Sequence, residues 1–248
     1  ARMWFASIWI FTLRLPWALG ADFFMQHLID ADPASNTLGW RWVAGLQTQG
    51  KTYLAGRTNI EKFTGGRFSP SGLATQAEPI QGAPNPPAMA LGEAAAGYDG
   101  KDAMLLIHPD DLSAMDVLHP SAEIKGAVAV TSVGDFPWGE KAQRFIGSAV
   151  DDLDERLRSK HGLKLTKMDD TGTEAIIAAA RDMGAAEIVT PYAPVGPIAD
   201  WLRQLRLDCE ASGMKLSTVR RGWDSKFWPN ATKGFFPFKK KIPELLHI

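Results

Sequence analysis

The stretch Asp30-Ala31-Asp32-Pro33-Ala34-Ser35-Asn36-Thr37-Leu38-Gly39-Trp40-Arg41-Trp42 decides how the first part of the chain reads. Two carboxylates one residue apart lead into a Pro-Ala-Ser-Asn turn, and two indoles one residue apart follow. The carboxylates accept hydrogen bonds, the amide donates and accepts them, and the indoles offer broad flat surfaces. Together these groups suit a flat polar cofactor.

Composition sets the outer limits. The 248 residues leave room for one large or two modest domains. A hydrophobic content of 45% is ordinary for a globular protein. The formal net charge of -1 excludes an overall basic field, so any nucleic-acid site must be a local patch. One cysteine, Cys209, excludes an intramolecular disulfide framework and fits a reducing, cytoplasmic setting. The chain opens at Ala1 directly before a strongly apolar run and reads as a fragment or a processed chain. Arg14 interrupts that run before the roughly 20 apolar residues that a membrane span needs, so a buried core helix is expected and no membrane partner. There is no glycine-rich phosphate loop, no Gly-x-Ser-x-Gly elbow and no Cys/His cluster, so no metal is expected.

In chain order, residues 2–14 read as a helix that is apolar nearly all round, with Pro16 ending it. Residues 20–29 read as a second helix, the quoted stretch as a loop, and residues 37–47 as a third helix. His27 reads as a packing histidine rather than a ligand. From Gly65 to about Gly100, prolines spread among glycine and alanine mark a semi-extended linker. After Lys101 short apolar runs alternate with helical patterns. Strands are expected at 103–107, 126–132, 163–167, 187–190 and 214–219. Helices are expected at 140–160, the first with Phe145, Ala149, Leu153 and Leu157 on one face, at 171–183, and at 197–212. This alternation predicts a doubly wound, mostly parallel five-stranded sheet. The expected organisation is therefore a helical segment over 1–64, a linker over 65–100 and an α/β domain over 101–248.

The quoted stretch resembles the flavin-binding motif of the photolyase/cryptochrome family, roughly Asp-x-Asp-x-x-x-Asn-x-x-x-Trp-x-Trp. The upstream run from Arg2-Met3 to Trp17 matches the same family without a gap, and the close likeness covers about residues 1–64. The resemblance implies that the first segment is the C-terminal part of an α-helical FAD-binding domain, whose upstream part is a partner of this one. The later half resembles, more loosely, the α/β domain that normally precedes the flavin domain, so the order looks permuted. For that reason no antenna chromophore follows from the likeness.

The same resemblance implies roles at matching positions. Arg2 and Asp30 would pair beside the flavin ring, Asp32 would contact polar atoms of FAD, and Asn36 would face the reactive ring nitrogen. Trp40 and Trp17 match two members of the family's electron-transfer chain; the third lies upstream. Met3 and Trp42 match positions lining the pocket for damaged DNA, where a flipped base could stack on Trp42. Plainer readings stand beside these: a structural salt bridge for Arg2 and Asp30, a turn residue for Asn36, core packing for Trp17 and Trp40, and cofactor-side packing for Met3 and Trp42. At the level of the protein, the resemblance implies a light-driven, FAD-dependent photolyase. The alternatives are a cryptochrome-like photoreceptor without repair activity and a module whose flavin site has decayed.

Only one wall of the pocket is legible, and nothing in it is placed to meet the FAD pyrophosphate. Residues 1–248 by themselves are therefore expected not to hold FAD tightly. Near the other end, Asp110-Asp111 follow the first strand, where α/β sheets bind ligands. The C-terminal tail mixes Trp223, Phe227, Trp228, Phe235, Phe236 and Phe238 with Lys226, Lys233 and Lys239-Lys240-Lys241. Such a mixture binds single-stranded nucleic acid in some proteins. Packing onto the other domain with the lysines outward is the reading favoured here.

Overall fold

The computed structural model describes residues 1–95, 97–134, 136, 138–169 and 171–247, apart from the side chains of Ala114 and Val117. Contacts group them into two compact units, Ala1–Pro87 with Pro137–Ala142, and Ala88–Phe136 with Gln143–Ile248.

The first unit is helical. Helix α1 (Arg2–Ser7) runs directly into a five-residue π-helix, Ile8–Thr12, in which the Leu13 N–H reaches back to Ile8 O over 2.8 Å. Helix α2 spans Trp17–His27, α3 Pro33–Val43 and α4 Arg57–Phe63. The expected boundaries shift in two places. Helix α2 begins at Trp17, because Pro16 occupies its N-cap position rather than merely ending the helix before it. Helix α3 begins inside the quoted stretch, not after it. Asp32 is its N-cap, with Oδ1 accepting from Ala34 N at 2.9 Å and Ser35 N at 3.2 Å, and Pro33 takes the first helical position. A capping carboxylate followed by proline is a helix start, and proline fits there because its missing N–H would have no partner.

Ala6, Ile10, Ala21, Trp40, Val43, Ala44 and Leu46 form the core of this unit. Among its described residues the proline-rich stretch has no helix, and their strand-like pairings are two isolated bridges, Ala95 with Val219 and Tyr98 with Leu118. It is tied down by single bonds at its start, Ala74 N to Thr12 Oγ1 and Ile80 N to Ala44 O.

The second unit is a five-stranded, all-parallel sheet in the order β3-β2-β1-β4-β5. The strands are β1 (Ala103–Ile107), β2 (Ile124–Val130), β3 (Leu165–Met168), β4 (Glu187–Pro191) and β5 (Lys215–Val219). Helices α5 (Glu140–His161), α6 (Thr173–Asp182) and α7 (Pro197–Ser212) alternate with the strands from β2 onward. Central β1 and β4 are buried along their whole length; β1 is a continuous apolar run, as a strand covered on both faces requires, and β4 buries Glu187 and Thr190 beside Ile188 and Val189. Within α5 the inward stripe is Ala142, Ile146, Val150, Leu153 and Leu157. Phe145, expected on that face, is exposed: the stripe steps by four, four, three and four residues from Ala142, which turns Phe145 outward.

After β5 come α8 (Gly222–Phe227), a short 3-10 turn at Trp228–Asn230, and α9 (Phe235–Leu246). Among the described residues no helix is long and apolar enough to cross a membrane, and no group of three or more His, Cys, Asp or Glu side chains is placed to hold a metal ion.

Candidate functional site

The quoted stretch forms the turn from α2 into α3 and the whole of α3 up to Trp42. Between the two acids, Ala31 is buried with a φ of 42°. A residue with a Cβ pays about 1–2 kcal/mol for that left-handed conformation. The turn it makes brings Asp30 to the start of α1, where Arg2 Nη2 donates to Asp30 Oδ2 over 3.1 Å. Both side chains are about half exposed, at 47% and 46%. The pair is therefore not a buried one, and burial cost gives no reason to infer a ligand from it. What the pair does provide is a donor fork and a carboxylate side by side, open to an incoming polar group.

Asn36 is buried, 7% exposed, on the first turns of α3. Its Nδ2 donates to Ala21 O of α2 over 2.7 Å. A carbonyl accepts only a donor, so this bond fixes the amide's orientation and leaves Oδ1 as the side that can meet a ligand. Asn36 is a helical residue here and not a turn residue.

Trp40, 2% exposed, is the centre of an aromatic group. Its ring lies 5.4 Å from Phe24 and 6.2 Å from Phe5, both near-perpendicular, and 6.4 Å from Trp9 at 89°. Offset and edge-on arrangements of this kind favour aromatic pairs. Trp17 is half-buried and packs against the same core cluster, as do Met3 and Tyr53. Trp42 is exposed and stacks on Tyr53 with centroids 5.4 Å apart. His27 is exposed, its ring edge-on to Phe23 at 4.5 Å.

The structure thus brings Arg2 to Asp30, and sets Asn36 and Trp40 on α3 against α2. Asp32 is exposed and spends Oδ1 on the helix cap. Three participants escape a reading of the motif alone: Trp9, Gly20 and the carbonyl of Ala21. Trp9 Nε1 donates to Pro16 O over 2.9 Å, and the π-helix that carries Trp9 adds a residue to the turn, as such insertions do near functional sites. Its position among apolar residues in a strongly apolar helix gave no local signal.

In the second unit the strand order reverses between β1 and β4, and the carboxyl ends there are the usual ligand position of such sheets. His108, fully buried just after β1, donates from Nε2 to Pro191 O at the end of β4 over 3.0 Å, and burial pushes its pKa down. Beside it lies an open cleft of about 420 Å³ lined by Asp110, Asp111, Tyr192, Arg221 and Trp228, among others. Arg221 already grips Asp111 through both oxygens, and its Nη2 also donates to Ser113 O over 3.0 Å. That grip spends the most prominent charges of the cleft on each other.

Residues 1–72 match the family described as the FAD binding domain of DNA photolyase. Cryptochrome-1 of Arabidopsis thaliana is 32% identical over 71 residues, which is 29% of this chain and 10% of that protein. A deoxyribodipyrimidine photo-lyase of Agrobacterium fabrum is 50% identical over 44 residues, covering 18% of this chain and 9% of the relative. Another, of Vibrio cholerae, is 35% identical over 71 residues, covering 29% and 15%. The matched part thus spans a small fraction of each relative's length. No solved structure matches the chain. Residues 1–72 belong to the FAD-binding domain of the photolyase/cryptochrome family, and the rest of the chain is not assigned to a family.

Proposed function

We propose that residues 1–72 supply one wall of an FAD site in a light-driven flavoprotein of the photolyase type, which splits pyrimidine dimers in DNA. The observation that carries this reading is the oriented amide of Asn36 on α3, one turn before the buried indole of Trp40. A flat heterocycle seated here would meet an acceptor at Asn36 Oδ1, and the paired donor and acceptor of Arg2 and Asp30. That donor set fits a ring system with both kinds of hydrogen-bonding edge.

FAD, when bound, supplies the absorption of blue light and the reduced flavin that donates an electron, chemistry that no side chain provides. The chain's own residues position and protect. Asn36 holds an acceptor toward the ring. Trp40, shielded from water by Phe5, Phe24 and Trp9, is an oxidisable indole that can give up an electron and draw the replacement from Trp17 at the edge of the same cluster. Met3 and Trp42 are the residues offered to a flipped base: Trp42 is exposed and held by Tyr53.

A cryptochrome-like photoreceptor would share every one of these residues. Illumination of the full-length protein with an oligonucleotide containing one pyrimidine dimer separates the two. Restoration of the intact pyrimidines under blue light and not in darkness is expected; a flavin-loaded protein that leaves the dimer untouched would favour the photoreceptor.

A further inference from the structure

We propose that helix α9 is a docking surface for single-stranded nucleic acid, built from Phe235, Phe236, Lys239 and Lys240. None of its twelve residues is buried, so α9 packs only along a half-buried stripe and leaves its lysines outward. Phe227 of α8 does pack inward, whereas Trp223 stays 60% exposed. Within α9 the half-buried residues are Phe238, Ile242 and Leu245, spaced i, i+4 and i+7. They form the stripe by which α9 rests on the protein, where it contacts α8.

The exposed side chains beside and across from that stripe are chemically distinct, Phe235 and Lys239 flanking it and Phe236 and Lys240 lying opposite. Phe235 and Phe236 are 63% and 76% exposed, with ring centroids 5.6 Å apart. One turn further along, at i+4 from each ring, stand the exposed ammonium groups of Lys239 and Lys240. Lys241 is turned to the side and donates to Asn230 Oδ1 over 3.2 Å. Glu244 is the only acid in the helix, and Lys226 and Lys233 are exposed just before it. In a chain of formal net charge -1 this is a concentrated local positive patch.

A ring followed one turn later by an ammonium, twice over, matches the alternation of base and phosphate along an unpaired strand. Bases stack on exposed aromatic faces and lysines take the phosphates. A membrane surface fits less well. Interfacial helices insert a continuous apolar face, and here that stripe is already turned toward the protein. This proposal stands apart from the flavin reading and uses none of its residues.

The test is fluorescence anisotropy of a labelled oligothymidylate with the full chain across a salt series. Parent protein is compared with the Lys239→Gln/Lys240→Gln and Phe235→Ala/Phe236→Ala pairs, circular dichroism confirming that each remains folded. The parent is expected to bind. The lysine pair should lower the slope of log affinity against log salt by about 0.7 per lysine removed. The phenylalanine pair should weaken binding at least about fivefold with little change in slope. No binding by the parent at low salt, binding by either variant equal to the parent's, or tighter binding to phosphatidylserine vesicles than to the oligonucleotide would each overturn the proposal.

Discussion

Gly20 of α2 lets the Trp40 indole lie directly against the helix backbone. A Cβ added at Gly20 would fall 2.5 Å from Cζ3 of Trp40 and 2.9 Å from Nε1 of Trp9. Both distances are too short for any real contact, and both indoles are held by surrounding rings. Gly20→Ala is therefore expected to destabilise the helical unit by about 1–3 kcal/mol, the usual cost of overpacking a filled core. Thermal unfolding followed by tryptophan fluorescence reads this out; an unshifted transition would mean that the indoles move aside freely.

Asn36 carries two roles that substitution can separate. Asn36→Leu removes the donor to the carbonyl of Ala21 and leaves that acceptor buried, at a cost of about 1–3 kcal/mol. Asn36→Ser keeps a short donor within the site. In the flavin-loaded full-length protein leucine offers no acceptor and the shorter serine hydroxyl does not reach as far toward the ring as Oδ1, so the spectrum reached on illumination should differ from the parent's in each. If the spectra are superimposable, the amide serves only to join α3 to α2.

For electron transfer, Trp40→Phe should slow photoreduction strongly while flavin stays bound. Phenylalanine keeps most of the packing among Phe5, Phe24 and Trp9 but is far harder to oxidise than indole. Trp17→Phe should act at the following step. Transient absorption that is the same in both variants as in the parent would reduce these residues to packing.

Stability of the α/β unit should carry a pH signature from His108. Burial lowers its folded-state pKa below the ordinary value of 6.5. At neutral pH the imidazole is uncharged in both states and adds no pH dependence. As pH falls below about 6.5, the unfolded chain takes up the proton and the folded one resists, so stability declines. Glu187 and Asp154 have lowered pKa values too, but they start from 4.5 and 3.8 and so contribute only at more acid pH. His108→Gln, which keeps a donor for Pro191 O, should flatten the decline between about pH 6.5 and 5. Denaturant midpoints measured across that range check it, and an unchanged slope in the variant would assign the effect elsewhere.

Much of this architecture is legible in the sequence, for physical reasons that differ along the chain. The five strands and three crossover helices are read to within two residues because apolar runs alternate with helical periodicity, and Gly162, Gly184 and Gly213 mark the ends with positive φ. The start of α3 lies earlier than the spacing suggests, because Asp-Pro reads as a turn in isolation although it is equally a cap followed by the first helical position. The face of α5 slipped at Phe145 because a large apolar residue beside a helical stripe biases the reading toward itself. In the candidate site, the pairing of Arg2 with Asp30 is what the family resemblance implies. The Asn36 bond to Ala21 and the contact of Trp9 with Trp40 do not follow from it, since both depend on how three helices pack and on one π-helical turn that spacing does not encode.

The central claim, that residues 1–72 form a wall of a flavin site, is tested most directly by the flavin content of the full-length protein after purification. Absorbance of the released cofactor is expected to give close to one FAD per chain, and Arg2→Ala, which removes the guanidinium beside Asp30, is expected to lower that ratio. A colourless full-length protein that gains no bound FAD when the cofactor is added in excess would contradict the account.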